Sequence, residues 1–138
     1  MSEENQELRN VGLKVTVPRV KILQLLEESN VHHMSAEDVY KALLETGDDV
    51  GLATVYRVLT QFETAGLVKR HHFEGGRSVF ELTSNKHHDH MVCVKCGSVK
   101  EFLDELIEQR QQEIADKADF QVTDHSHYIY GLCKNCHS

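Results

Sequence analysis

The sequence predicts an α+β protein, with a winged helix-turn-helix domain followed by a small α/β domain. Three observations carry this prediction. Apolar residues recur at helical spacing up to Gly66, two strand-like runs then flank Glu74-Gly75-Gly76, and the chain beyond residue 84 holds all four cysteines as two Cys-x-x-Cys pairs. A length of 138 residues is enough for one or two small domains, and 40% apolar residues exclude a disordered acidic tail.

The elements follow in order. Thr16 caps a first helix with Pro18 in its opening turn, and Ile22, Leu23, Leu25 and Leu26 supply its apolar face. Ser35-Ala36-Glu37-Asp38 is a capping box, with Val39, Leu43 and Leu44 expected on the buried face of the second helix. A third helix spans 52–65, where Val55, Leu59 and Phe62 fall at i, i+4 and i+7 beside Val58. Tyr56 and Arg57 are left on its other faces. The period then shortens, and 67–73 with 77–82 form a hairpin, completing the winged-helix order. Polar Thr83-Ser84-Asn85-Lys86 makes a hinge near 83–86, dividing a winged-helix domain over 1–83 from a metal-binding domain over 84–138. Beyond it we expect strands at 87–94 and 98–102, a helix of about 14 residues marked by Leu103, Ile107 and Ile114, and strands at 120–122 and 126–132.

The net charge is -7, and no run of 18 apolar residues occurs. The polar start Ser2-Glu3-Glu4-Asn5-Gln6 does not resemble a signal peptide, so the expectation is a soluble cytoplasmic protein without a membrane partner. Nine Lys and Arg against thirteen Asp and Glu through Ser84 make even the winged-helix half acidic. DNA would repel it unless bound cations intervene.

In a reducing compartment, Cys93-x-x-Cys96 and Cys133-x-x-Cys136 point to zinc rather than to disulfides. Each two-residue gap lets both sulfurs of a pair reach one ion, and four thiolates close a tetrahedral, structural site. The alternative is a pair of redox dithiols. His87-His88-Asp89-His90 offers a second cluster. On a strand, His88 and His90 share one face while His87 and Asp89 share the other, so one strand can feed two sites. Glu101, Glu81 and His33 are candidate partners for the first face, and Glu108 and His125 for the second. Periodicity does not choose them uniquely among 10 His and 22 acidic residues. His32, His71, His72 and His137 read as surface residues. Such His/Glu clusters suit a borderline divalent ion. They also leave open a metalloenzyme, since a site with a vacant position activates water, or a cytosolic metal store.

Several segments together resemble the ferric uptake regulator (Fur) family over nearly the whole chain. They are Gly12-Leu13-Lys14-Val15-Thr16-Val17-Pro18-Arg19, His33-Met34-Ser35-Ala36-Glu37-Asp38-Val39-Tyr40, and Ala53-Thr54-Val55-Tyr56-Arg57-Val58-Leu59. His87-His88-Asp89-His90 with Cys93 and Cys96 follows, and then Asp124-His125-Ser126-His127-Tyr128-Ile129-Tyr130-Gly131. The resemblance implies a metal-responsive repressor, not an enzyme, with a C-terminal α/β dimerisation domain. It implies a homodimer or a tetramer that binds palindromic A/T-rich operators of iron-uptake genes. It assigns His33, Glu81, His88, His90 and Glu101 to a regulatory site for Fe(II), where Mn(II), Co(II) or Zn(II) can substitute. His87, Asp89, Glu108 and His125 are assigned to an additional site, and the four cysteines to structural Zn(II). Zinc, manganese or peroxide sensing are alternatives within the family. Peroxide-sensing relatives place Asp where Glu81 and Glu101 stand, and no cysteine remains outside the two pairs for a zinc sensor. On DNA, Arg57 is expected to read guanine edges, the Tyr56 ring to pack on thymine methyls, and Lys14 to enter the minor groove. Arg19, Thr54, Arg70 and Arg77 are expected to hold phosphates.

Overall fold

A computed structural model describes residues 3–74, 76–84 and 87–137. Gly75 of the expected hairpin turn and Asn85 and Lys86 of the expected hinge lie outside the described residues. The chain forms two compact units, Met1–Lys86 and His87–Ser138. Among the described residues, no helix is long and apolar enough to cross a membrane.

The first unit contains α1 (Glu3–Asn10), α2 (Val17–Glu28), α3 (Ala36–Glu45), α4 (Leu52–Ala65), β1 (Val68–Phe73) and β2 (Arg77–Leu82). Thr16 caps α2 through the Arg19 amide, and Ser35 and Asp38 close the capping box of α3. Ile22, Leu23, Leu26, Val39, Val55, Leu59 and Phe62 bury their side chains together, with Leu8 of α1 added to the same core. Two details differ from the sequence expectation. The α1 helix had no apolar stripe to announce it, since Leu8 alone of its residues is buried. Leu44 is exposed, because Ala36, Val39 and Leu43 already complete the inward face of α3.

At Gly66 the backbone turns left-handed, with φ at +84°, and the Leu67 amide returns to the Phe62 carbonyl. That geometry favours glycine and ends α4 while starting β1 directly beside it. β1 pairs antiparallel with β2, Val68 opposite Leu82 and Phe73 opposite Arg77. Met34 adds a short bridge to the outer side of β2: its amide donates to the Phe80 carbonyl at 3.2 Å, and the Phe80 amide donates back at 2.8 Å.

The second unit holds β3 (Asp89–Cys93), β4 (Val99–Phe102), α5 (Glu105–Lys117), β5 (Tyr128–Gly131) and a short α6 (Lys134–His137). Its sheet has the order β4-β3-β5, with β4 antiparallel and β5 parallel to β3. Asp104 caps α5 through the Leu106 and Ile107 amides. The expected strand at 120–122 does not form. Asp119 at φ +57° ends the helical run, and Phe120 projects into solvent, 73% exposed, with no neighbouring strand to pair. A three-residue apolar run is too short a signal to tell a strand from an extended connection. The expected strand at 87–94 narrows to Asp89–Cys93, so His87 and His88 lie just before it. That at 126–132 likewise narrows to Tyr128–Gly131.

Candidate functional site

The four cysteines gather within the second unit. Cys93 ends β3, Cys96 follows in a tight turn closed by the Gly97 amide on the Cys93 carbonyl, and Cys133 and Cys136 bracket the start of α6. Gly97 takes φ +78°, so a residue without Cβ suits that turn. All four sulfurs lie within 4.8 Å of one another. Cys96 Sγ and Cys133 Sγ are 3.7 Å apart, against about 3.8 Å for the edge of a tetrahedron with 2.3 Å zinc–sulfur arms. The backbone amides of Cys96 and Cys133 point at Cys93 Sγ, at 3.5 and 3.4 Å, and bring its thiol down to about 5. The hydrogen bond with Cys133 and the other crowded thiols push Cys136 up to about 12. Four mutually opposed thiols that cannot all ionise alone are a donor set that a divalent cation satisfies.

A second group in the same unit unites His87, Asp89, Glu108 and His125, their donor atoms also within 4.8 Å. Glu108 on α5 receives both imidazoles, His125 Nε2 at 3.1 Å from Oε2 and His87 Nε2 at 3.3 Å from Oε1. Desolvation opposes its ionisation, yet these hydrogen bonds from His125 and His87 hold its carboxyl below the ordinary range. Asp89 is fully buried, and among the described residues neither carboxylate oxygen has a hydrogen-bond partner, His87 Nε2 standing 3.7 Å from Oδ1. Burial, and then the Glu108 charge, push its carboxyl up. A buried carboxylate with no donor is costly, and a cation among two imidazoles and two carboxylates removes the cost.

Two further donor groups lie one in each unit. In the first, His33 Nε2 is 3.1 Å from Glu81 Oε2, and both side chains are buried. The Met34–Phe80 bridge explains the meeting, since it sets the residues next to it, His33 and Glu81, side by side. In the second unit, His90 stands opposite Glu101 in the β3–β4 register, His88 Nε2 is 3.5 Å from Glu101 Oε1, and the His88 and His90 rings are 4.7 Å apart.

On α4, Tyr56 and Arg57 are exposed in the N-terminal half, and no side chain caps the first turn at Gly51. Thr54 is half-buried beside them, and Lys14 is exposed on the loop before α2. Arg19 ties these parts together, its guanidinium donating to the Lys14 carbonyl at 2.8 Å and to Gln61 Oε1 at 3.0 Å.

This arrangement has close counterparts. The ferric uptake regulator family model matches residues 10–130. The chain belongs to the ferric uptake regulator family. A ferric uptake regulation protein of Legionella pneumophila is 68% identical over 134 residues, covering 97% of this chain and 98% of that one. Among solved structures, the ferric uptake regulator of Vibrio cholerae matches with TM-score 0.91 and 59% identity over 95% of this chain and 100% of the other. That of Pseudomonas aeruginosa with manganese matches with TM-score 0.84 and 61% identity, over 96% and 99%. The winged helix and the small α/β unit are thus those of a metal-dependent transcriptional regulator.

Within this Fur-family chain, two residues stand differently from their expected places. His71 is buried, with Nε2 3.0 Å from Glu81 Oε1, not on the surface. Strand alternation was the available signal: His71 sits two residues before buried Phe73, although buried Val68, three residues earlier, falls out of that phase. Arg70, expected on the wing as a phosphate contact, has a side chain only 13% exposed and is 3.1 Å from Glu63 Oε1. Arg77 remains exposed, with Nη2 3.8 Å from Asp38 Oδ2. His32, His72 and His137 are exposed, as expected of surface residues.

Proposed function

We propose that the chain is an Fe(II)-responsive repressor that binds palindromic A/T-rich operators of iron-uptake genes as a cytoplasmic homodimer when loaded with metal. One observation carries this reading furthest. His33 and Glu81 form a buried donor pair inside the unit that also presents Tyr56 and Arg57, which supports a regulatory ion held in part by the DNA-binding unit.

The regulatory ligands in this reading are His33, Glu81, His88, His90 and Glu101. His87, Asp89, Glu108 and His125 hold the additional ion, and Cys93, Cys96, Cys133 and Cys136 hold structural Zn(II). A bound ion supplies positive charge and a fixed coordination geometry. The chain supplies ligands from both sides of the hinge near 83–86, between a DNA-binding domain over 1–83 and a dimerisation domain over 84–138. Metal then favours one arrangement of the DNA-binding domains over many, and DNA selects the same arrangement. About 5 kcal/mol of differential binding suffices to move such an equilibrium from mostly open to mostly closed. Added positive charge also lowers the repulsion between DNA and an acidic chain.

Arg57 reads guanine edges from the major groove and the Tyr56 ring packs on thymine methyls, while Lys14 reaches into the minor groove. Arg19, Thr54, Arg77 and the uncapped first turn of α4 contact phosphates. Leu103, Leu106, Ile114 and Phe120 are exposed around α5, which supports a second copy covering this face. The chain is a regulator and not an enzyme in this reading.

Fluorescence anisotropy with a palindromic A/T-rich duplex, titrating buffered Fe(II) and Zn(II) anaerobically, tests the proposal. Tight binding at micromolar or lower Fe(II), and none at picomolar free Zn(II), is expected. Binding complete at picomolar Zn(II) would make the chain a zinc sensor, and no response to either metal would end the mechanism. A Tyr56→Ala/Arg57→Ala variant should retain metal and lose DNA, which a metalloenzyme or a metal store would not require.

A further inference from the structure

We infer that Arg70 is a positioning residue for base recognition, one that holds the Tyr56 phenol in a fixed orientation on α4 instead of contacting a phosphate. The inference rests on the reading of α4 as the recognition helix.

Tyr56, Thr60 and Glu63 fall at i, i+4 and i+7 on α4 and so form one stripe along the helix. Beside it runs the buried stripe of Val55, Leu59 and Phe62. The left-handed turn at Gly66 sends β1 back along the helix, and the fourth residue after it, Arg70, meets the whole polar stripe. Its Nη2 lies 3.1 Å from Glu63 Oε1 and donates to Thr60 Oγ1 at 3.1 Å. Its Nη1 donates to the Tyr56 hydroxyl at 3.4 Å. Thr60 accepts readily, because its own hydroxyl hydrogen is given to the Tyr56 carbonyl at 2.9 Å.

The guanidinium carbon is 4.8 Å from the Phe80 ring centre and 5.5 Å from that of Tyr56. Arg70 is thereby placed against two aromatic rings, its charge balanced by Glu63 and its side chain largely removed from solvent. A phosphate contact needs donors directed outward, whereas these are directed along the helix. Tyr56 is half-exposed and would otherwise rotate about two side-chain bonds. Fixing it before DNA arrives removes an ordering cost worth about two- to twelvefold in affinity per protomer.

Lysine separates the two roles. It keeps the charge a phosphate needs, but a single ammonium does not reproduce a planar fork that spans three side chains. The test uses the metal-loaded full chain and a duplex selected by the wild-type protein from A/T-rich random DNA. Binding is compared for wild type, Arg70→Lys, Arg70→Gln and Arg70→Gln/Glu63→Gln across a salt series. Changing the contacted thymine to deoxyuridine should cost the wild type about fourfold, the value of one buried methyl. In all three variants this discrimination should shrink toward unity, specific affinity should fall two- to twelvefold per protomer, and the salt slope should stay at the wild-type value.

Arg70→Lys with wild-type affinity and discrimination, together with a slope reduced by about 0.9 per protomer in Arg70→Gln, would mark a phosphate contact and overturn the inference. Thermal melts and incorporation of 3-fluorotyrosine give readouts without DNA. The fluorine resonance of Tyr56 should collapse toward its unfolded position in Arg70→Lys while the melting curve is kept, and an unchanged resonance would overturn the positioning role. If the wild-type protein selects no duplex, the DNA reading itself fails, and the fluorine result still decides whether Arg70 orders Tyr56.

Discussion

His71 Nε2 lies 3.0 Å from Glu81 Oε1, both side chains buried, so the imidazole fixes the carboxylate whose other oxygen faces His33. In the proposed regulatory site, His71 would support rather than ligate, orienting the Glu81 carboxylate through one oxygen while the other faces His33.

Replacing His71 by Leu removes the imidazole that meets Glu81 Oε1 at 3.0 Å and loosens the orientation of the carboxylate. Affinity for the regulatory metal should fall roughly 10- to 100-fold, as for other supporting contacts around metal ligands. Competition for Mn(II) against a chelating dye measures it. Zinc content at the cysteines should be unchanged, and a wild-type Mn(II) affinity would show that His71 serves only packing.

Asp89→Asn should have opposite effects with and without metal. Asp89 is buried and, among the described residues, neither oxygen has a hydrogen-bond partner, so an amide relieves the metal-free unit of a buried charge. Without divalent ions the variant should melt at a higher temperature than wild type. With added Mn(II), wild type should gain stability and the variant little, as read by scanning calorimetry at several metal concentrations.

Removing zinc should unfold the second unit. Its four sulfurs join the end of β3 to α6, and zinc–thiolate binding contributes folding free energy on the order of 10 kcal/mol. Cys93→Ser is expected to lower zinc from one per chain to none and to abolish dimerisation, measured by elemental analysis and light scattering. A zinc-free variant that remains a folded dimer would contradict this.

Partial desolvation and the adjacent Glu7 carboxyl, with Glu4 and Glu3, push Glu27 up to about 7. A carboxyl whose folded value exceeds its unfolded one binds its proton more tightly when folded. Its destabilising effect is therefore present in full above pH 7 and is relieved as pH falls from about 7 toward 4.5. Glu27→Gln should raise the melting temperature at pH 8 and flatten its rise between pH 8 and pH 5. A pH profile identical to wild type would refute the assignment.

Gly66→Ala places a Cβ in open space but at φ +84°, so strain alone acts on the α4–β1 turn. A loss of about 1–2 kcal/mol is expected from urea unfolding. A neutral result would mean that the turn relaxes.

The winged-helix order and the closed cysteine site follow from sequence alone, because both rest on local chemistry. Caps at Thr16 and Ser35, the stripe of Val55, Leu59 and Phe62, and the two Cys-x-x-Cys turns each act over a few residues. Alternation likewise separated His87 and Asp89 from His88 and His90. Periodicity left open which distant partners these groups meet, and the packing of the elements supplies them. The Met34–Phe80 bridge joins His33 to Glu81 across 48 positions, and the turn at Gly66 lays Arg70 along Tyr56, Thr60 and Glu63. The same fold buried His71 and drew the Arg70 side chain largely out of solvent, where local pattern had placed both on the surface. Periodicity says which face a residue occupies, while a partner far along the chain is chosen by how elements pack, and packing is a property of the whole fold.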